Sequence, residues 1–305
     1  SEGMICAEDE IGIGTSHDGI LVLDTQVPNG TPAASFFDIA GDLVLEIGLT
    51  PNRADAASHW GVARDIRAVT GLPIQLPSPA LVIESNAHPI TVEVKDAGCD
   101  RFCGITIDGI QVAPSPVWLQ ERLAAIGLRP INNVVDITNF ICHGLGQPMH
   151  AYDWNEIKGG KLIVDSLPAG TIFKTLDGIE RKLTGEELMI CDASGAIGMA
   201  GVMGGEDSGI KDSTTRVFLE VAHFKPERIR KASQIHGLKT DASFRFERGT
   251  DIQAKLFALE YAAQLIQEIA GGKITSEPID YYPTQVELAR IPVSVRRVQQ
   301  YIGVE

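Results

Sequence analysis

Val217-Phe218-Leu219-Glu220-Val221-Ala222 has one polar member among six residues, and it reads as a strand. Alternation puts Phe218 and Glu220 on one face of it. A carboxylate inside an apolar strand is costly when unpaired on the core side, so Glu220 either points outward, the default, or has a dedicated donor. Further strands are expected at Gly104 to Val112, Lys161 to Val164, Glu187 to Cys191 and Ile197 to Met203. One helix begins at Ser115-Pro116, runs through Leu119, Leu123 and Ile126, and stops at Gly127. A second opens with capping Asp251, carries Leu256, Leu259, Ala263, Ile266 and Ile269 on one face, and ends at Gly271-Gly272. Mixed order, without regular βαβ alternation or a fixed repeat, indicates an α+β fold whose large sheet is mostly antiparallel and packed by helices.

Upstream, Ile11-Gly12-Ile13-Gly14 and Asp18-Gly19 before Ile20-Leu21-Val22-Leu23 read as strands and turns. After Thr50-Pro51-Asn52-Arg53 the pattern changes: Asp55 can cap a helix carrying Ala56, Ala63, Ile66 and Val69, with Gly71 and Pro73 ending it. This is expected to be a small α/β remnant. The spaced prolines of LPIQLPSPALVIESNAHP then read as a linker, which places a domain boundary near residue 86. The large module runs to about residue 285, and IPVSVRRVQQYIGVE looks like the opening of another element, cut short.

The whole chain has 305 residues, 44% of them hydrophobic, which is enough for more than one core. No apolar run approaches the roughly 18 residues that span a bilayer. The start, SEGMICAEDE, lacks the basic and apolar regions of a secretory signal, so a cytoplasmic location is expected. Five cysteines, an odd number, fit a reducing compartment better than a disulfide framework. A net charge of −14 argues against wholesale coating of nucleic acid, although a local basic patch can still guide a phosphate backbone. Lys225, Arg228, Arg230, Lys231, Lys239, Arg245 and Arg248 form such a basic island, either a phosphate-facing surface or a solvated helix and loop.

Metal chemistry has little support. Cys99 and Cys103 lack the second ligand pair of a zinc site, and His143 and His150 lack the intervening Glu of a zincin helix. Gly201-Val202-Met203-Gly204-Gly205 lacks the Gly-Lys-Ser/Thr of a phosphate loop; its glycines read as positive φ or close backbone approach, with a substrate against bare backbone as a third reading. LRPINNVVDITNFICHGLGQPMHAYD, residues 128–153, interleaves Arg129, Asn132, Asn133, Asp136, Thr138, Asn139, Gln147, His150 and Asp153 with apolar positions. Such groups are either a capped helix with polar turns or the lining of a cleft. His150, beyond Pro148, is placed to orient or deprotonate water.

GMICAEDEIGIGTSHDGILVL, EIGLTPNRADAASHWGVARDI, LRPINNVVDITNF, GQPMHAYD, AGVMGG and KTDASFRFERGTD, in this order, resemble the β subunit family of bacterial phenylalanine–tRNA ligases across essentially the whole chain. That subunit is much longer, so the chain looks like an internal piece. By this resemblance residues 1–85 are the close of an OB-type tRNA-binding insertion and the return into a small N-terminal domain. Residues 86–285 are the α+β editing module, and 286–305 the truncated start of the next small domain. The synthetic site belongs to the α subunit, and Phe244-Arg245-Phe246-Glu247 matches a class II synthetase signature by coincidence.

The resemblance further implies hydrolysis of tyrosine misattached to tRNA(Phe), in a heterotetramer of two α and two β subunits. The whole enzyme is expected to use ATP and Mg²⁺; this portion is expected to hold no metal or cofactor, and neither membrane nor DNA is expected as a partner. The family's editing glutamate falls on Glu220, which would accept the phenol proton and so reverses the outward default. His150 and Arg129 would hold the ester and a water; Thr138, Asn139 and Thr240 would bond the aminoacyl group or terminal ribose. Ala200, Gly204 and Ala242 would belong to the substrate-binding set, Gly204 and Ala242 as small wall residues. The alternative is a non-catalytic scaffold and tRNA-docking module.

Overall fold

The computed structural model describes residues 5–37, 43–287 and 289–303. The chain divides into two compact units, Ser1–Leu45 and Glu46–Glu305. In the first, a 3-10 turn at Asp9–Ile11 and a short helix α1, Ala33–Phe36, are the regular elements among the described residues. The strands expected over residues 11–23 are not formed: Gly12 takes a left-handed φ of 72° and closes the 3-10 turn instead. Residues 1–4, part of the segment read for a leader, lie outside the described residues.

The first α-helix of the second unit is α2, His59–Thr70, and the unit's bulk follows in chain order. The strands are β1 Thr91–Val94, β2 Cys99–Asp108, β3 His150–Asp153, β4 Lys161–Ser166, β5 Ile172–Lys174, β6 Glu180–Lys182, β7 Leu188–Cys191, β8 Ala196–Met199, β9 Met203–Gly204, β10 Arg216–Phe224, β11 Lys273–Ile274 and β12 Ile279–Tyr281. The helices are α3 Val117–Ala125, α4 Asn133–Leu145, α5 Pro226–His236, α6 Asp241–Phe246, α7 Lys255–Ala270 and α8 Val295–Ile302. One sheet has the order β11-β2-β10-β3, with β12 also on β2; the other has the order β1-β4-β7-β8-β9. Among the named strands of the described residues every pairing is antiparallel except β1 with β4, so the fold is α+β with mostly antiparallel sheet.

The apolar run in β10 follows from its position: it is paired on both sides and covered on both faces. Val217, Leu219 and Val221 join Ile105, Ile107, Ile137, Ile141, Leu259 and Ile266 in a core between the first sheet and helices α4 and α7. Phe218, Ala222 and Phe224 turn the other way and pack with Leu162, Val164, Met189, Ile190 and Met199 of the second sheet. Each layer therefore supplies what its neighbour needs to leave water.

Local chemistry moves three expected boundaries. Ser58 caps α2 by accepting from Gly61 N, while Asp55 sits in a preceding 3-10 turn and binds Arg53 at 3.0 Å. Helix α7 begins at Lys255, because Asp251 accepts from Gln253 N in a turn and the Ile252 carbonyl accepts from Arg101. The strand expected from Ile197 to Met203 is two short strands, β8 and β9, joined by a turn with Gly201 at φ +65°. Helix α3 and the Gly71 stop of α2 lie within a residue or two of where the sequence places them. The proline-spaced stretch is extended, and Glu84 N donates to the Ile274 carbonyl at 3.0 Å. Among the described residues no helix is long and apolar enough to cross a membrane.

Candidate functional site

Register brings the site together. In the β10–β3 pairing Glu220 stands opposite His150 and Phe218 opposite Tyr152; across β2, Glu220 stands opposite Gly104. A side chain at Gly104 would have its Cβ 2.2 Å from Phe218 Cζ, so the bare backbone there makes room for that ring. Glu220, Tyr152 and His150 all face the second sheet, where the β8–β9 turn leaves a cavity of about 110 Å³. Its walls include Pro148, Met199, Ala200, Gly204, Ala242 and Phe246.

Glu220 is 6% exposed, which overturns the outward default for this side chain. It has a donor: the Tyr152 hydroxyl donates to Glu220 Oε2 at 2.7 Å. Burial pushes the Glu220 carboxyl up to about 7, partly countered by that hydrogen bond. The His150 ring meets the Tyr152 ring edge-on at 4.4 Å between centroids. Burial pulls its imidazole down to about 4, so it is neutral near pH 7. His150 Nε2 is shut off from solvent and has no hydrogen-bond partner among the described residues. A buried polar atom left unsatisfied costs about 1–3 kcal/mol, which marks the position as one that a ligand or water completes.

The opposite wall is built from small residues at close approach. A Cβ on Gly204 would lie 2.9 Å from His150 Cε1 and 3.0 Å from Leu176 Cδ1, so any larger residue must push one of these side chains aside, and glycine lets β9 lie close to the imidazole as it stands. Thr240 caps α6 through a reciprocal capping box with Ser243, and its hydroxyl donates to the Val202 carbonyl at 2.9 Å. That bond ties the start of α6 to the β8–β9 turn and sets Ala242 and Phe246 against the cavity.

The structure thus gathers His150, Glu220, Ala200, Gly204 and Ala242 around one cavity, with Thr240 behind its wall. Arg129, Thr138 and Asn139 are not among its lining residues. Arg129 is exposed ahead of α4, Asn139 is half-buried on α4, and the Thr138 hydroxyl donates to the Val135 carbonyl within that helix. Much of the polar segment is structural: Asn132 caps α4, Asn133 bonds Gln111 and Ala113, and Asp136 accepts from Ser115 and Ile131 N. Tyr152 is the residue that sequence reasoning missed; the spacing His150-Ala151-Tyr152 on one strand is the signal that could have found it.

Four of the seven basic residues of the island, Arg228, Lys231, Arg245 and Arg248, pair with carboxylates of the fold. Arg228 binds Asp96 and Ser166, Arg230 binds the Glu247 carbonyl, Lys231 pairs with Glu186, and Arg248 pairs with Glu247. Arg245 is buried and binds the Ala57 carbonyl, the Asp241 carbonyl and His143, which accounts for the Phe-Arg-Phe-Glu stretch as a structural bracket. Among the described residues no group of three or more His, Cys, Asp or Glu is placed to hold a metal ion.

The strands and helices that build this cavity fall within a stretch that matches a known family: the B3/4 domain matches residues 98–271, more than half of the chain. The chain belongs to the B3/4 domain family. It is similar to the phenylalanine–tRNA ligase beta subunit of Bacteroides fragilis, at 50% identity over 99% of this chain, and to that of Bacteroides thetaiotaomicron, at 48% over 99%. The Salinibacter ruber beta subunit is 44% identical over the full chain. The chain spans 38% of the length of each of these relatives. Among solved structures, an N-terminal fragment of the Pyrococcus horikoshii phenylalanyl-tRNA synthetase beta-subunit matches at a TM-score of 0.43 and 16% identity, over 84% of this chain and 70% of that one.

Proposed function

We propose that this chain is the β-subunit portion of a phenylalanine–tRNA ligase that clears tyrosine mistakenly esterified to tRNA(Phe). The observation that carries the reading is the buried Glu220 carboxyl in the same cavity as the unpartnered His150 Nε2. The cavity's size supports an aromatic side chain: about 110 Å³ is of the order of the roughly 150 Å³ engineered cavity that holds benzene. Tyrosine and phenylalanine differ by one hydroxyl, and an apolar pocket separates such a pair only about a hundredfold. A pocket that hydrogen-bonds the hydroxyl separates them by roughly 10⁴ or more, because its polar group is left unpaired by the bare ring.

In this reading Glu220 accepts the phenol of the misattached residue, while Gly204, Ala200 and Ala242 admit the ring by being small. A water molecule attacks the ester carbonyl carbon, the acyl C–O bond to the ribose breaks, and the water's proton ends on the departing ribose oxygen. A neutral imidazole with a free Nε2 accepts a hydrogen bond from that water and aims it; its pull down to about 4 makes it a weak base. Thr240 acts through the wall it braces. Arg129, Thr138 and Asn139 would serve the ester or ribose from outside the cavity lining. tRNA(Phe) and the α subunit are the partners, in a cytoplasmic enzyme of two α and two β subunits. ATP and Mg²⁺ serve the synthetic reaction of the α subunit, and no step here runs through them.

Glu220→Ala in the complete ligase should leave aminoacylation intact and cut the preference for hydrolysing Tyr-tRNA(Phe) over Phe-tRNA(Phe) by about 100-fold or more. A preference equal to wild type would reject the assignment.

A further inference from the structure

The Glu220 carboxyl is held by a residue whose role the reading above leaves open. Tyr152 is 2% exposed, lies on β3 two residues from His150, and donates its hydroxyl to Glu220 Oε2 at 2.7 Å. It is the sole hydrogen-bond partner of that carboxyl among the described residues. Its ring also packs edge-on against His150 and ends beside Gly198, where an added Cβ would lie 3.7 Å from the hydroxyl. One phenol therefore contacts both polar groups of the cavity and the wall opposite them.

We propose that Tyr152 is a positioning residue of this site: its phenol clamps one carboxylate oxygen of Glu220 in the ionised form and leaves the other as the acceptor for the ring hydroxyl of a bound tyrosyl group. This rests on the editing reading. A carboxylate that accepts one charge-assisted hydrogen bond is fixed in rotation and favoured as the anion. The charged acceptor binds a phenol more tightly than a neutral acid does. Burial works in the opposite direction, pushing the same carboxyl up to about 7. Tyr152 thus sets whether the anion is populated at neutral pH.

The other titratable groups around the carboxyl are His150 across the β10–β3 pair, neutral near pH 7, and Cys99 on β2, whose thiol burial keeps protonated. Cys191 on β7 lies beside the phenol and is likewise held up by burial, as is the phenol itself. Lys255 of α7 sits beyond Phe246, 5.4 Å from its ring, and burial pulls it down to about 7. The faces of α6 and the β8–β9 turn toward the cavity, Ala242, Phe246 and Met199 to Gly204, carry no titratable side chain. Tyr152 is accordingly the donor whose removal changes the Glu220 titration directly.

Two measurements on the complete ligase test this with Tyr152→Phe, which keeps the ring packing. The first follows the Glu220 carboxyl band by infrared titration, identified by its loss in Glu220→Gln. Tyr152→Phe should raise its midpoint by about one pH unit or more. The second follows the pH profile of Tyr-tRNA(Phe) against Phe-tRNA(Phe) hydrolysis. The variant's preference should fall about fivefold or more at pH 7 and recover near pH 9, a shift that a merely structural defect would not produce. An unmoved infrared midpoint would overturn the role of Tyr152 whatever the hydrolysis assay shows. A moved midpoint in a wild-type enzyme that shows no tyrosyl preference would uphold the clamp and reject the editing reading instead.

Discussion

The two faces of strand β10 are built from neighbouring residues of one chain, yet they are packed to different ends. Toward the helices, Val217, Leu219 and Val221 are fully buried among aliphatic side chains from α4 and α7. Toward the second sheet, Glu220 sits between Phe218 and Ala222 beside a cavity, with Tyr152 and His150 from β3. One face is closed by dispersion and hydrophobic burial; the other keeps a cavity, a carboxyl that burial makes reluctant to ionise, and an imidazole nitrogen with no hydrogen-bond partner among the described residues. Incomplete packing is costly to stability, so a fold keeps it where something else is to fill it.

The sharpest way to break the comparison is Leu219→Ala. On the helix face it should cost about 2–5 kcal/mol in chemical denaturation while leaving the tyrosyl preference of the folded enzyme within twofold. A large loss of preference at unchanged stability would mean that the faces do not divide the work.

The opposite face should carry the pH dependence. Glu220 has a folded value of about 7 against an ordinary 4.5, so the folded state holds a proton that the unfolded chain has already lost between those values. Stability contributed by this group is therefore present below pH 4.5 and declines as pH rises toward 7. His150, with a folded value of about 4 against 6.5, slopes the other way, which is why the wild type must be compared with Glu220→Gln. Relative to that variant, the wild type should lose on the order of 3 kcal/mol between pH 4.5 and 7.5. Parallel stability curves would show the carboxyl to be solvated.

A smaller effect should come from Gly204→Ala, whose new methyl carbon meets His150 Cε1 at 2.9 Å and must push the imidazole or Leu176 aside. Hydrolysis of the tyrosyl ester should drop about tenfold, with stability changed by less than about 2 kcal/mol. Unchanged hydrolysis would separate the glycine from the imidazole's function.

How far this was legible in the residues themselves differs between the faces. The strand at Val217–Val221 could be read because a segment covered on both sides must be apolar throughout, and the order of strands and helices set the fold class. Direction could not be read from Glu220, since either face of β10 is buried and only the partner sheet says which has room. Tyr152 was hidden for the same reason: its hydroxyl meets Glu220 through strand pairing across 68 positions of chain. Polar residues of α4 looked as functional as His150 because capping and catalysis draw on the same side chains; Asn132, Asn133 and Asp136 proved to be satisfied within the fold. In the basic island Arg228 and Lys231 are paired with carboxylates far away in sequence, Asp96 and Glu186, which the local pattern of charges could not show.

The most direct test of the central claim is a crystal structure of the protein with tyrosine at saturating concentration. The account predicts the ring in the cavity between the two sheets, its hydroxyl within hydrogen-bond distance of Glu220 and its ester-forming carboxyl end toward His150. A ring bound elsewhere, or one in the cavity whose hydroxyl points away from Glu220, would contradict it.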